Sequence, residues 1–307
     1  MSTNETSFRF GTVALLGPPN AGKSTLLNTV LGQKVAIVTP KPQTTRNQIT
    51  GIRTEERAQI VFLDTPGVHR MKGRMNRFLN LAAWQAVERA DAVVVLVDAD
   101  LYARKPALLD KELAPLAEGV RRLAQPVLVA VNKTDLVRDK AALLPVMRAL
   151  GELWPQAELF PVSAATGQGV AELLDAVRPA LPEGEALFPE DQLSTLSLRF
   201  LAAEAIREQL FLALRQELPY SVAVEIEQWE EDEDGLTRIG GLIWVGRDSH
   251  KAMVIGKGGQ TLKAVGQAAR QELKALVGGK VHLELWVKVR RDWTEDPHFL
   301  RGLGLGD

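Results

Sequence analysis

Between residues 8 and 181, short apolar runs alternate with longer stretches in which apolar side chains recur every three or four positions. The runs fall at 12–16, 59–63, 92–97, 127–131 and 158–162. Continuous Val, Ile and Leu of this length predict parallel strands buried on both faces. The periodic stretches at 24–31, 74–89, 106–122, 140–150 and 170–180 predict helices between them. Such alternation predicts βαβ units, an α/β fold with a mostly parallel sheet. Ligands in such folds bind at the carboxyl ends of the strands.

The pattern then changes. Residues 183–193 are acidic and carry Gly184 and Pro189, which reads as a linker between a domain at 1–182 and another at 194–307. The second opens on a long amphipathic helix, 194–217, whose apolar stripe is expected to pack in the domain core. Strands at 221–229 and 237–245 follow, joined by an acidic turn containing Asp234-Gly235. The acids at 230–234 are expected to be a solvated hairpin tip. Helices at 250–255 and 260–277 are split by Gly256-Lys257-Gly258-Gly259. At 281–289, Val281, Leu283, Leu285, Val287 and Val289 alternate with His282, Glu284, Trp286 and Lys288, the pattern of a half-buried strand. The order helix–strand–strand–helix–helix–strand is α+β.

Composition narrows the chemistry. The 307 residues include no cysteine, which excludes disulfides, thiolate metal sites and thiol nucleophiles. The four histidines are scattered, so a histidine metal site is not expected. No apolar run approaches the ~20 residues of a membrane span, and residues 1–8 lack the basic start of a signal peptide. A cytoplasmic protein is expected. The net charge of −1 conceals its parts: residues 247–291 hold ten basic and three acidic residues. That is an electrostatic footprint for nucleic-acid phosphate.

Gly17-Pro18-Pro19-Asn20-Ala21-Gly22-Lys23-Ser24 matches G-x-x-x-x-G-K-[ST] between the first strand and the first helix. Backbone N–H groups of such a loop cradle phosphate oxygens, Lys23 brings charge to the β- and γ-phosphates, and Ser24 offers a hydroxyl to Mg²⁺. Asp64-Thr65-Pro66-Gly67 ends the second run, where Asp64 can reach the Mg²⁺ shell and the Gly67 N–H the γ-phosphate. In Pro42-Gln43-Thr44-Thr45-Arg46 a threonine hydroxyl is expected to complete that shell, Thr45 in preference to Thr44. Segments 33–46 and 64–77 then read as switch loops. Asn132-Lys133-Thr134-Asp135 follows the fourth run. The Asp135 carboxylate can accept from both N1–H and N2–H₂ of guanine, Asn132 can meet the base edge, and the Lys133 stem can cover the ring. Ser163-Ala164 fits a loop whose N–H meets the guanine carbonyl. His69, just after the second motif, reads as an exposed loop residue in preference to one that contacts the switch region during hydrolysis, and Trp286 as a residue that stacks a base or packs against the neighbouring helix.

These motifs resemble those of translation-factor-related GTPases over residues 8–181. Val68 stands where Ras-type enzymes carry a water-positioning glutamine, so another group must orient the water. Asn20 matches the residue that helps bind potassium in GTPases with this apolar replacement. Lys23, Thr45, Gly67 and Asn20 are therefore expected to act in hydrolysis. Gly256-Lys257-Gly258-Gly259 supplies a G-x-x-G loop of the kind that clamps single-stranded nucleotides, with Lys251, Lys263, Arg270, Lys288 and Arg290 as expected phosphate contacts. Together with Thr25 after the phosphate motif, Gln43-Thr44-Thr45-Arg46, Leu218-Pro219-Tyr220-Ser221-Val222 after Glu217, and His282 to Val289, the chain resembles the Era family of bacterial ribosome-assembly GTPases. That resemblance implies a P-loop G domain followed by a type II KH domain, Mg²⁺ and K⁺ as cofactors, and GTP and GDP as ligands. It implies binding to the 3′ end of small-subunit ribosomal RNA and to the small ribosomal subunit, with loose attachment to the inner membrane face. A monomer is expected. Other readings are a GTPase acting in RNA modification and a nucleotide-binding scaffold at the membrane surface.

Overall fold

The computed structural model describes residues 7–69, 73–215 and 218–305. Its elements are β1 (Arg9–Leu16), α1 (Lys23–Leu31), β2 (Ile49–Glu55), β3 (Ala58–Asp64), α2 (Arg74–Glu88), β4 (Ala92–Asp98), α3 (Ala99–Arg104), α4 (Ala107–Arg121), β5 (Val127–Asn132), α5 (Leu143–Leu153), β6 (Glu158–Pro161) and α6 (Val170–Val177). After these come α7 (Leu198–Ala213), β7 (Val222–Glu231), β8 (Leu236–Val245), α8 (Asp248–Ile255), α9 (Gln260–Val277), β9 (Lys280–Val289) and α10 (Pro297–Gly302). Among the described residues no helix is long and apolar enough to cross a membrane.

The chain forms two compact units. Among the described residues the first takes in 7–36, 45–69 and 77–195; the second takes in Ile37–Thr44, Gly73–Asn76 and the residues from Leu196 on. The segments read as switch loops are thus divided between units. Within the second unit, the Val38 N–H donates to Glu208 Oε1 at 2.9 Å, and Lys41 Nζ donates to the Phe211 and Leu214 carbonyls that end α7.

The first unit is a six-stranded sheet in the order β2-β3-β1-β4-β5-β6. All neighbours are parallel except the antiparallel pair β2–β3. Every residue of β3 and β5 is buried, as continuous apolar runs require. β2, an edge strand, has no continuous apolar run: Ile49 and Ile52 are buried on opposite faces, and Thr50, Arg53, Thr54 and Glu55 interrupt the pattern. β6 corrects the expectation of a strand buried on both faces: it is four residues long and half-exposed, at the other edge. The segment read as a linker packs against this unit, with Leu187 and Phe188 N–H groups donating to Gln59 Oε1 at 2.8 and 2.9 Å and Ile52 N–H to the Leu193 carbonyl at 2.8 Å.

The second unit has a three-stranded sheet, β7-β8-β9, with β7–β8 an antiparallel hairpin and β8–β9 parallel. Apolar residues of α7 and α9 cover one face of the sheet. α7 is shorter than the 194–217 pattern predicts. The Ser197 hydroxyl caps its start by accepting from Phe200 N–H at 3.2 Å, and extended backbone at Leu214 (ψ 157°) ends it; residues 216–217 lie outside the described residues. On the opposite face the Trp244 and Phe299 rings meet edge-on at 5.5 Å.

Candidate functional site

The phosphate loop lies between β1 and α1, at the carboxyl end of the central strand. Lys23 is buried and donates to the Gly17 and Pro18 carbonyls at 3.2 and 3.0 Å. Burial lowers its ammonium pKa to about 8, against the opposing pull of Asp64. A phosphate dianion in the loop would restore the full charge. Pro19 is half-buried, Asn20 exposed with a left-handed backbone (φ 61°), Ala21 buried and Thr25 half-buried.

The three residues expected at Mg²⁺ converge. Ser24 Oγ lies 2.8 Å from Thr45 Oγ1 and donates to Asp64 Oδ2 at 2.6 Å. Asp64 is fully buried, and its Oδ1 has no hydrogen-bond partner. Burial raises its carboxyl pKa to about 6, offset in part by Lys23 and the two hydroxyls. An orphaned carboxylate oxygen beside two hydroxyls is the donor set a hard divalent cation takes. Thr44 faces elsewhere, 2.6 Å from Thr39 Oγ1 and donating to the Lys41 carbonyl at 2.7 Å.

The turn after β3 presses on the phosphate loop. A Cβ on Gly67 would sit 2.6 Å from Pro19 N and 2.7 Å from its Cα, so only glycine fits there. The next N–H, of Val68, donates to the Gly17 carbonyl at 3.1 Å. Pro66 is buried and Thr65 Oγ1 donates to the Leu15 carbonyl at 2.7 Å. The Val68 side chain is buried in the core with Ala14, Leu16, Ala83 and Val87. His69 is not an exposed loop residue as expected: it is half-buried, its N–H donates to Asn80 Oδ1 at 3.2 Å, and burial lowers its imidazole pKa.

At the ends of β5 and β6 the expected guanine loops meet. Asp135 is exposed, and its Oδ1 accepts from Ser163 Oγ at 2.7 Å. Thr134 Oγ1 donates to the Val162 carbonyl at 2.9 Å. Asn132 differs from expectation. Its buried amide donates to the Ala21 carbonyl at 2.8 Å and accepts from Ala164 N–H at 2.9 Å. It therefore ties the phosphate loop to the 163–164 loop, a job for which both its polar atoms are used. Thr29 Oγ1, which no motif announces, donates to the Ala164 carbonyl at 2.6 Å and fixes the same loop from α1.

In the second unit Gly256, Gly258 and Gly259 all have positive φ, and Lys257 between them is exposed. Beside this loop runs a groove of about 420 Å³ floored by Leu283 and Leu285 of β9 and walled by α9, with Gly259, Lys263 and Arg270 on its lining. Lys251 is half-buried on α8. Alternation along β9 puts Lys288 on the other face of the sheet from Leu283 and Leu285, and Arg290 follows it there. Lys288 lies 3.6 Å from Glu227, and Arg290 donates to Asp296 Oδ2 at 2.7 Å with its guanidinium over the Phe299 ring. Trp286, 39% exposed, is also on that outer face over Gly240, so it neither lines the groove nor packs on the helix. Counting charges along the chain could not separate these faces.

Both parts of the chain resemble known proteins. Residues 12–133 match the family model described as a 50S ribosome-binding GTPase, and residues 217–294 match that of a KH domain. The chain is 59% identical over 304 residues to the GTPase Era of Nitratidesulfovibrio vulgaris, covering 99% of both chains. It is 47% identical over 295 residues to that of Mesorhizobium japonicum, covering 96% of this chain and 93% of the relative. Two solved structures superimpose with a TM-score of 0.88 at 39% identity, covering 98% of this chain and 100% of theirs. One is an Aquifex aeolicus Era variant bound to GDP and AlF₄⁻; the other is Era in complex with MgGDPNP and nucleotides 1506–1542 of 16S ribosomal RNA. A P-loop GTPase domain and a KH domain in one chain, with identity running its whole length, place this protein in the Era family of GTPases.

Proposed function

We propose that the chain is a GTP-driven switch that binds the 3′ end of small-subunit ribosomal RNA and assists assembly of the small subunit. The observation that carries the RNA part is the groove beside the G-x-x-G loop, apolar at its floor and basic at its wall. Bases can lie on Leu283 and Leu285 while Lys257, Lys263 and Arg270 meet phosphates. Lys251 on α8 belongs to the same reading, and Lys288 and Arg290, on the other face of the sheet, leave it. Its Era relative solved with a 16S fragment supports the choice of RNA.

In the first unit, residues 17–25 hold the phosphates, and Asp135, with Ser163 steadying it, reads guanine. Ser24, Thr45 and Asp64 would hold Mg²⁺, which neutralises charge on the β- and γ-phosphates. Lys23 and the Gly67 N–H take the charge that develops on the γ-phosphate as water attacks in line. With Val68 buried in the core, no side chain at that position orients the water. Asn20, exposed in the phosphate loop, would help hold a potassium ion, which would supply the charge stabilisation that an arginine finger gives elsewhere. GTP hydrolysis is then faster in K⁺ than in Na⁺ at equal ionic strength; equal rates in the two salts remove potassium from the scheme. A cytoplasmic monomer loosely attached to the inner membrane face belongs to the same proposal and rests on the family alone.

The test of the whole reading is binding of a 3′-terminal small-subunit RNA fragment in the presence of a GTP analogue, across a salt series. Affinity falls steeply with salt when a basic groove tracks phosphates. A fragment of equal length from elsewhere in the same RNA binding equally well would refute the choice of site.

A further inference from the structure

β4 ends on Asp98, and strand register sets it directly beside Asn132, the last residue of β5. The next residue, Lys133, has a left-handed backbone (φ 66°), a conformation rarely taken by side-chain-bearing residues. Its side chain is held: Nζ donates to Asp98 Oδ2 at 2.5 Å. The other oxygen of that carboxylate accepts from Leu101 N–H at 2.9 Å and caps α3. The two oxygens of Asp98 thus have separate tasks. The other acid nearby, Asp100, is already paired with Arg104 one turn along the helix and does not compete for the lysine. The Asp98 and Lys133 side chains are only 17% and 28% exposed, so solvent screens the pair incompletely.

We propose that Asp98 is a positioning residue for the purine. By fixing the Lys133 amine it lays the lysine stem along the face of the base site before nucleotide arrives. The proposal rests on the guanine-site reading above. A free lysine carries four rotatable bonds, and ordering them on binding costs affinity; a tether made in advance removes that cost. A methylene stem presents apolar surface to any purine ring and reads no hydrogen-bond pattern. Asp135, in contrast, reads the donors on one edge. Two carboxylates then divide the work: Asp98 supports affinity for purine nucleotides in general, and Asp135 selects guanine among them.

The test uses the full chain with Mg²⁺ and titrates GDP, IDP (which lacks the 2-amino group) and ADP. Asp98→Asn keeps the cap on α3, because an asparagine oxygen still accepts from Leu101 N–H, and it removes the charge that holds the lysine. The expected result is a loss of about fivefold in affinity, the size of a partly exposed ion pair. The loss is the same for GDP and IDP, with KM for GTP raised and kcat held. Lys133→Met retains a stem with no amine to tether, so adding Asp98→Asn to it produces no further loss. Additive effects of the two substitutions, or Asp98→Asn binding GDP as tightly as the parent, would overturn the proposal. So would a loss larger for GDP than for IDP, which would make Asp98 a reader of the base edge. A parent chain that binds ADP as tightly as GDP refutes the guanine reading itself, an outcome seen before any variant is made.

Discussion

Asp135→Asn reverses the base preference of the nucleotide site: GDP affinity falls at least about a hundredfold, and XDP binds more tightly than GDP. Guanine offers two donors, N1–H and N2–H₂, to the two oxygens of the carboxylate. An asparagine offers one acceptor and sets an NH₂ group against N2–H₂, leaving donors facing donors. A site built around hydrogen-bond donors loses far more to such a mismatch than an apolar pocket loses to a missing methylene. Xanthine carries a carbonyl where guanine carries its amino group, and the new NH₂ donates to it. The frame survives the exchange, since the exposed residue 135 can still accept from Ser163 Oγ, now 2.7 Å from Asp135 Oδ1. Competition of GDP and XDP against a fluorescent guanine nucleotide measures both changes. A variant that still prefers GDP removes Asp135 from the base site.

In the second unit the largest effect is expected at Gly258. Its backbone is left-handed (φ 59°), a region that Asp tolerates better than most residues, and no heavy atom lies within 4 Å of the Cβ that a substitution would add. Gly258→Asp therefore keeps the loop and puts a negative charge where an RNA phosphate should approach. RNA affinity falls about tenfold or more, with melting temperature and GDP affinity held. Gly256 cannot serve for this test. A Cβ there would meet Thr261 Oγ1 at 2.2 Å and Thr261 N at 2.9 Å, so the loop itself would give way. Unchanged RNA affinity in Gly258→Asp, read by filter binding or fluorescence anisotropy, would remove the G-x-x-G loop from the RNA interface.

What was legible in the sequence follows from how each feature is encoded. β3, β4 and β5 announce themselves because a strand covered on both faces needs an unbroken apolar run. β2 buries Ile49 and Ile52 on opposite faces but mixes them with Thr, Arg and Glu, and α3 has only six residues, too few for a helical period to show. The overlong reading of α7 arose because apolar periodicity continues past Ala213, where extended backbone at Leu214 ends the helix. The nucleotide motifs are legible because their residues are contiguous. Asp98 and Thr29 are not, because each acts on a loop distant in sequence and close only once the sheet has formed. Lys288 and Arg290 show the opposite failure: a charge count sees them, but only strand register tells which way they face.

The position of Val68 bears on how this centre can evolve. Its side chain is set in the core beside Leu16 and Val87, its N–H is tied to Gly17, and Gly67 before it is wedged against Pro19. A glutamine introduced here would inherit the inward direction and bury an amide among apolar groups, at a cost of about 1–3 kcal/mol for each polar atom left unmatched. Turning it outward requires the whole 64–68 corner to be rebuilt against the phosphate loop. No single codon change therefore leads from this arrangement to a glutamine-assisted one. In a site that keeps the buried valine, any gain in hydrolysis rate has to be built outside this side chain.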